Sequence, residues 1–573
     1  TSKYNFCDEL KYINSQRKEI EFEYDLLHGK KSKAKYKGNE LVLTFENNNN
    51  KKLDFICRVS NDGVAFRYEF QTESTSTDTI LQEYTEFNIF NANGFIQPYP
   101  QPSQYEPGYE NPYLNNFPVD SLKDKSQIAF PALFNVDEKH WLLLSESDLG
   151  RTYCGSHLLY NKESKKFETE FPNEGEGNST GIVTPVNSGS WKTPWRVIIF
   201  GDEIGNIVES TLVTDLAEEN KIENTDWIKP GRAAWSWWAE SDSPKQPDRL
   251  RAYIDLAYEL EWEYFLIDAN WNFMHADTLD AIIEYANSKK VGILLWYNSG
   301  GENNYVTEAP RDRLLSGSRE KEFNWLSSHG VKGIKVDFFQ SDKQNIINHY
   351  LDILVDAAKH KLMVNFHGCT IPRGWERTYP NLLTMESVRG EENYKFNKLY
   401  TKEAPVQNTI IPFTRNVIGS MDFTPVAFSN STYPHITTNA HELAQAVIFE
   451  SGLQHFADSE ATYRKLPGDI KKFLKEVPVV WDDTKFIDGF PGKYVILARR
   501  NGKEWYIAGI NGTDNTIKIN VDVSFLNGDF VIQKFNDSHD AAKWLVEKDE
   551  LSTNKIQAIM SAYGGFVYKL KLQ

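Results

Sequence analysis

The chain has 573 residues, room for about two to four domains of roughly 150 residues each. Hydrophobic residues make up 40% and charged residues 25%, a globular balance that excludes a disordered chain. With 63 basic against 80 acidic residues the net charge is −17, a field that repels a phosphate backbone, and no apolar run reaches the ~18 residues of a membrane helix, so nucleic acid and a membrane span are set aside.

From the start to about Pro230 the chain reads as strands. Glu40-Leu-Val-Leu-Thr-Phe45, Phe66-Arg-Tyr-Glu-Phe70 and Trp191-Lys-Thr-Pro-Trp-Arg-Val-Ile-Ile-Phe200 largely alternate apolar and polar residues, and turns such as Asn47 to Asn50 separate them. A β-sandwich over residues 1–230 is expected. Thr1 to Arg17 shows no clear first strand, as though the domain's opening strands were missing.

Near Gly231 short apolar runs begin to alternate with helical patterns. The runs are Ala233–Trp238, Tyr264–Asp268, Val291–Trp296, Gly333–Asp337, Leu362–Phe366, Leu382–Glu386, Thr409–Phe413 and Gly452–Phe456. Between them Pro247 to Leu260, Leu279 to Ser288, Asp342 to Lys359 and Ala440 to Ser451 carry apolar residues at helical spacing. Eight strands alternating with helices predict a (β/α)8 TIM barrel over residues 231–482. Asp268, Asn298, Asp337, His367 and Glu386 all fall at or just past the ends of strands, the face where barrel active sites lie. After Asp482 strands return at Lys493–Arg499, Glu504–Gly509, Thr516–Asn520 and Gly565–Leu570, which predicts a small C-terminal β-sandwich over residues 483–573.

The chemistry-bearing residues cluster at those strand ends. Lys335 and Asp337 are two apart on one strand and share a face, so the cation is expected to keep Asp337 ionised, as a nucleophile requires; a barrel-mouth salt bridge is the plainer alternative. Glu386, Glu391 and Glu392 crowd the loop around Arg389 and Gly390, which suits Ca²⁺, a protonated general acid or simply an exposed turn. His367 is placed to hold a substrate hydroxyl or to serve structure. Asp268 and Asp422 compete for any carboxylate role, although Asp422 also suits a turn before Pro425. Four scattered cysteines, Cys7, Cys57, Cys154 and Cys369, carry no CxxC spacing and read mostly as buried thiols. There is no GxSxG, Walker loop, HExxH or strand-to-helix GxGxxG. A barrel mouth of carboxylates and tryptophans fits glycoside hydrolysis, which runs on two carboxyl groups.

At this point the residues are similar to a known family. Trp235-Ser-Trp-Trp238, Gly333-Ile-Lys-Val-Asp-Phe338, Asn365-Phe-His-Gly368, Arg373-Gly-Trp-Glu-Arg-Thr-Tyr-Pro380, Met385-Glu-Ser-Val-Arg-Gly-Glu-Glu392 and Met421-Asp-Phe-Thr-Pro425 resemble glycoside hydrolase family 97, in order and over nearly the whole chain. The family has inverting α-glucosidases, with base carboxylates after the third and fifth strands, and retaining α-galactosidases, with a nucleophilic aspartate after the fourth. Here those base positions hold Asn298 and Gly368, and Asp337 stands at the fourth. The resemblance therefore implies a retaining, exo-acting α-galactosidase acting on an oligosaccharide with a terminal α-galactosyl residue. It implies Asp337 as nucleophile and Glu392 as acid/base, with Lys335, His367 and Trp238 as substrate-binding residues. It further implies Ca²⁺ held by Glu386 and Glu146 with Glu392 as a third ligand. That ion would lower the pKa of Glu392, against the upward push expected of Glu386 and Glu391. It also implies a periplasmic or cell-surface protein of a Gram-negative bacterium. An α-glucosidase or β-L-arabinopyranosidase is the alternative within the enzymes, and a non-catalytic glycan-binding protein the alternative outside them; a sugar isomerase or epimerase lacks its cofactor motif. Oligomeric state is not legible in the sequence.

Overall fold

The computed structural model describes residues 5–70, 77–551 and 553–573. The N-terminal all-β domain is built on a 13-stranded sheet. Lys11–Asp25, Lys33–Glu46, Lys52–Ser60 and Gly63–Phe70 form an antiparallel run that continues through Trp195–Gly201, His140–Ser147 and Gln127–Val136. Alternation works as expected in Lys33–Glu46, where Ala34, Tyr36, Gly38 and Glu40 point inward between exposed neighbours. The expectation of no first strand is corrected: Lys11–Asp25 is a 15-residue strand paired along its length with Lys33–Glu46. Its first nine residues are exposed on both faces, so no apolar alternation marks it.

The central domain is a parallel barrel of seven strands. In chain order they are Gly231–Trp235, Tyr264–Ile267, Gly292–Asn298, Gly333–Asp337, Met363–Phe366, Leu382–Met385 and Leu453–Phe456. The first six are neighbours in sequence order, and the seventh pairs with the first. Most of these residues are buried on both sides, which is why they read as continuous apolar runs. The expected strand Thr409–Phe413 does not exist. The helix Tyr400–Asn408 runs into it, and Ile411–Phe413 is a 3-10 turn in which Pro412 has no N–H for a ladder. The gap between the sixth and seventh strands is spanned instead by Met421, which makes an isolated parallel bridge to Met385. That bridge brings Asp422 to the barrel interior, its N–H donating to Met385 O at 3.0 Å.

The C-terminal domain has a six-stranded antiparallel sheet, with Ile517–Asp522 and Lys555–Met560 paired beside it. The barrel helix Asn439–Ile448 packs on its strands Glu504–Asn511 and Gly565–Leu572. No helix among the described residues is long and apolar enough to cross a membrane. Of the cysteines, Cys154 and Cys369 are buried, Cys57 is half-buried and Cys7 is exposed.

Candidate active site

Asp337 closes the fourth barrel strand with its carboxyl inside the mouth. Its Oδ2 accepts from Trp296 Nε1 at 3.1 Å, and Gly368 closes over its Oδ1. Gly368 has φ +47°, and a Cβ there would stand 2.7 Å from that oxygen, so any side chain at this position would displace Asp337. Burial pushes the Asp337 pKa up to about 6, with Lys335 and His367 pulling it down. Lys335 therefore acts with the expected sign, but burial outweighs it. The lysine spends its strongest contact elsewhere: Nζ is 3.3 Å from Asp268 Oδ2 and 4.9 Å over the Trp235 ring, and Trp235 Nε1 donates to the same oxygen at 2.7 Å. Asp268 is thus the counter-ion of Lys335. Against burial, Asp268 and Asp337 together hold the lysine above its ordinary pKa.

His367 sits between two carboxylates. Nε2 is 2.7 Å from Asp422 Oδ2 and Nδ1 is 3.3 Å from Glu386 Oε1. An ionised carboxylate only accepts, so both ring nitrogens donate and the imidazole is a cation. Burial opposes that charge, but Glu386 and Asp422 hold the His367 pKa well above its usual value. Asp422 Oδ2 also receives Asn365 Nδ2 at 2.7 Å and His455 Nδ1 at 2.8 Å. Despite burial, these partners keep Asp422 far below the usual carboxylate range, so it orients His367 and is no free acid or base.

Glu386 follows the sixth strand, its Oε2 accepting from Gly368 N at 2.8 Å. Glu392, in the turn Glu391–Tyr394, completes a group with His367 and Glu386 whose ligand atoms all lie within 4.8 Å of one another. Glu392 is half-buried, and burial together with Glu386 raises its pKa to about 8 against Lys335 and His367. Glu391 turns away instead of pressing on it. Burial and the charge of Glu442, on the helix Asn439–Ile448, hold Glu391 well above its ordinary value. Asn298 is committed to its own loop: Nδ2 donates to Val306 O and Glu308 O at 3.1 Å each, and Oδ1 accepts from Gly300 N at 2.9 Å. Trp238, expected as a stacking wall, is only 2% exposed, and its indole Nε1 has no partner among the described residues.

Glu146 does not join this group. It is fully buried where the N-terminal domain meets the barrel, ion-paired with Arg196 and with Arg373 Nε at 2.7 Å. Arg373 Nη2 passes on to Asp342 Oδ2 at 2.9 Å, and Tyr109 donates to that oxygen at 2.7 Å. Two carboxylates absent from the expected site arrive along this chain of contacts, on the N-terminal loop Tyr105-Glu-Pro-Gly-Tyr-Glu110. Burial raises Glu106 to about 7, and Glu386 adds to the shift. Burial raises Glu110 well above its ordinary value, with Glu386, Glu106 and Glu392 adding to it. Among the causes of both shifts only hydrogen bonds oppose this crowding, from the backbone N–H groups of Gly108, Tyr109 and Glu110 to Glu106 and from Asn393 Nδ2 to Glu110 at 3.5 Å. Two glutamates flanking Pro-Gly in an otherwise β-rich stretch were the available signal. The carboxylate oxygens of Glu106, Glu110 and Glu386, crowded beyond what Lys335 and His367 offset, are the kind of donor a hard divalent ion takes.

At neutral pH one carboxyl group of this mouth, Asp337, is mostly anionic, and another, Glu392, favours its protonated form. Family models described as Glycosyl-hydrolase 97 N-terminal, Glycoside hydrolase 97 and Glycosyl-hydrolase 97 C-terminal, oligomerisation match residues 1–218, 227–388 and 480–571. The chain is 33% identical over 515 residues to a probable retaining alpha-galactosidase of Streptomyces bingchenggensis, covering 87% of this chain and 74% of that protein. It is 28% identical over 590 residues to a retaining alpha-galactosidase of Bacteroides thetaiotaomicron, covering 93% and 85%. Among solved structures, a beta-arabinopyranosidase superposes with a TM-score of 0.93 at 34% identity, covering 98% of this chain and 91% of that one. A Glycoside Hydrolase Family 97 enzyme from Pseudoalteromonas sp. strain K8, solved with panose, shares the fold at a TM-score of 0.86 and 21% identity, covering 98% and 92%.

Proposed function

The chain belongs to glycoside hydrolase family 97, and from that premise we propose a retaining, exo-acting α-galactosidase working through a covalent glycosyl-enzyme. The observation that carries this reading is the closure of Gly368 over Asp337 Oδ1, beside an Asn298 whose amide is fully occupied. No carboxylate stands at either position where an inverting enzyme would activate water. Among the described residues Asp337 is the strand-end carboxylate without an ion-pair partner of its own, fixed by Trp296 and partly neutralised by Lys335 and His367. It attacks the anomeric carbon from the β face while Glu392 gives its proton to the departing glycosidic oxygen. Glu392 then takes a proton from the water that releases galactose with its α configuration kept. Lys335, a cation inside the mouth, holds a sugar hydroxyl, while His367, expected to do the same, has both ring nitrogens engaged by Asp422 and Glu386 and positions Glu386 instead. The alternative pentose, β-L-arabinopyranose, shares the ring stereochemistry of galactose without its C6 group, and the 34% identity to a beta-arabinopyranosidase favours it as second reading.

Proton NMR of the first seconds of hydrolysis, before mutarotation, tests this. Early α-galactose from an aryl α-galactoside is expected. Early β-galactose would mean inversion and an unrecognised base, whereas turnover of the arabinopyranoside or α-glucoside alone would overturn the sugar and keep the chemistry.

We propose in addition that Ca²⁺ is held by Glu106, Glu110 and Glu386, with Glu392 outside the ligand set so that it keeps its proton, and not by Glu146. When bound, such an ion neutralises the carboxylate cluster and offers oxygen coordination to sugar hydroxyls. Glu146 stabilises the domain junction through its arginines. Glu146→Gln leaves the buried guanidinium groups of Arg196 and Arg373 with one carboxylate each, Glu83 and Asp342, and is expected to destabilise the fold by about 1–3 kcal/mol, while keeping a calcium-induced rise in melting temperature. Glu110→Gln is expected to melt near wild type without calcium and to lose that rise. A wild type indifferent to calcium sinks the ion; a Glu146 variant that alone loses the response restores Glu146 as ligand.

A further inference from the structure

Two series of aromatic ring contacts, stacked at Trp235–Trp237 and tilted or edge-on elsewhere, lead from the reacting groups to solvent. The first begins under Lys335, whose Nζ lies over Trp235. Trp235 stacks on Trp237 at 6.0 Å and 17°, and Trp237 meets Phe396 at 6.0 Å. The second begins at Trp296, the donor to Asp337. Trp296 meets Phe338 at 5.8 Å, and Phe338 meets Tyr105 at 5.7 Å. Each series starts buried and ends in an exposed ring, Phe396 at 58% and Tyr105 at 47%. Lone exposed aromatics are ordinary on a protein surface. Here each is the last member of a contiguous series of ring contacts rooted at the catalytic centre.

Their positions relative to the chemistry give them a task. Phe396 lies four residues past Glu392, on a segment anchored by Lys395, whose Nζ donates to Trp237 O and Trp238 O at 3.0 and 2.9 Å and sits 4.3 Å over the Trp237 ring. The same segment is tied to the acid, the Lys395 N–H donating to Glu392 O at 2.9 Å. Tyr105 comes from the N-terminal domain and rests over the end of the fourth strand. The first series is rooted on the first strand and the second on the third, passing Phe338 just beyond the fourth. The exposed rings therefore stand on different sides of one opening. Phe396 has no polar atom, so what it offers a carbohydrate is a flat face for axial C–H groups.

We propose that Phe396 and Tyr105 form a subsite for the leaving-group sugar, so that the natural substrate is an α-galactosyl oligosaccharide whose second ring is bound by stacking. This rests on the glycosidase reading of the site and adds the part of the substrate beyond the reacting ring. The test compares kcat/KM for an α-galactosyl trisaccharide with that for α-galactosyl fluoride, which has no second sugar. Phe396→Ala and Tyr105→Ala are each expected to lower the trisaccharide-to-fluoride ratio about tenfold, and Phe396→Trp to restore it. Phe396→Leu, which still packs on Trp237 but has no flat face, is expected to behave as the alanine variant and guards against misfolding. A ratio that stays at the wild-type value in these variants overturns the subsite, whether both rates fall together or neither does. If the wild type takes arabinopyranosyl or glucosyl fluoride instead, the galactose reading fails, and the same ratio measured with that sugar decides the subsite separately.

Discussion

Replacing Asp337 by glycine is expected to lower kcat/KM on an α-galactoside on the order of 10⁴-fold, and sodium azide is expected to restore turnover with β-galactosyl azide as product. The glycine empties the space between Trp296 Nε1 and Gly368 where the carboxylate now sits. A small anion fits there, beside the positive charges of Lys335 and His367, and reaches the anomeric carbon from the face the carboxylate used. It cannot be displaced as a carboxylate ester is, so the inverted product accumulates. Loss of folding is not expected to contribute. Asp337 is an acid raised from 3.8 to about 6 in the folded state, so as pH rises through that window its ionisation costs the fold stability. Above the window, at pH 7, removing it takes away an unfavourable buried charge, and the melting temperature should not fall. A variant that keeps more than a hundredth of its activity, or an azide product of α configuration, would place the nucleophile elsewhere.

The sequence made this site partly legible because its central residues are local features of strands. Asp337 and Lys335 are two positions apart on one strand, and His367 and Glu386 follow neighbouring strand ends, so periodicity alone placed them together. What periodicity could not reach are the contributions from far away in the chain. Glu106 and Glu110 enter from a loop of another domain, pinned by Tyr109 to Asp342, and no spacing rule links positions 106 and 386. Glu146 is expected in the site only through the family resemblance; packing commits its carboxyl to Arg196 and Arg373, which no spacing in the sequence shows. The barrel shows the same limit. Thr409–Phe413 has the apolar composition of a strand but follows directly on a helix and contains Pro412, while the segment that does span the gap, at Met421, makes a single bridge too short to leave a pattern. Trp237 and Trp238 are adjacent, and only packing decides that Trp237 joins the stack while Trp238 goes inside.

Glu392→Ala is expected to divide the two chemical steps that Asp337→Gly leaves merged. With a sugar leaving group the first step needs a proton, and its loss is expected to cost about 10²–10⁴-fold. Fluoride leaves without one, so α-galactosyl fluoride is expected to give a rapid burst followed by a slow steady state, because the water that releases the glycosyl-enzyme has lost its base. Azide needs no base and is expected to relieve that second step, giving α-galactosyl azide. The two variants then yield azides of opposite configuration from one substrate, which follows only if Asp337 and Glu392 act on opposite faces of the sugar ring. The position of Glu392 supports this assignment. It lies beside Glu386 and faces Lys335 and His367 electrostatically, yet it is half-buried, whereas Asp337 is enclosed. If Glu392→Ala instead hydrolysed the fluoride and the oligosaccharide with equal losses and no burst, its part would be confined to holding the cluster together. Glu106 or Glu110, raised by the same crowding, would then be the next acid to replace.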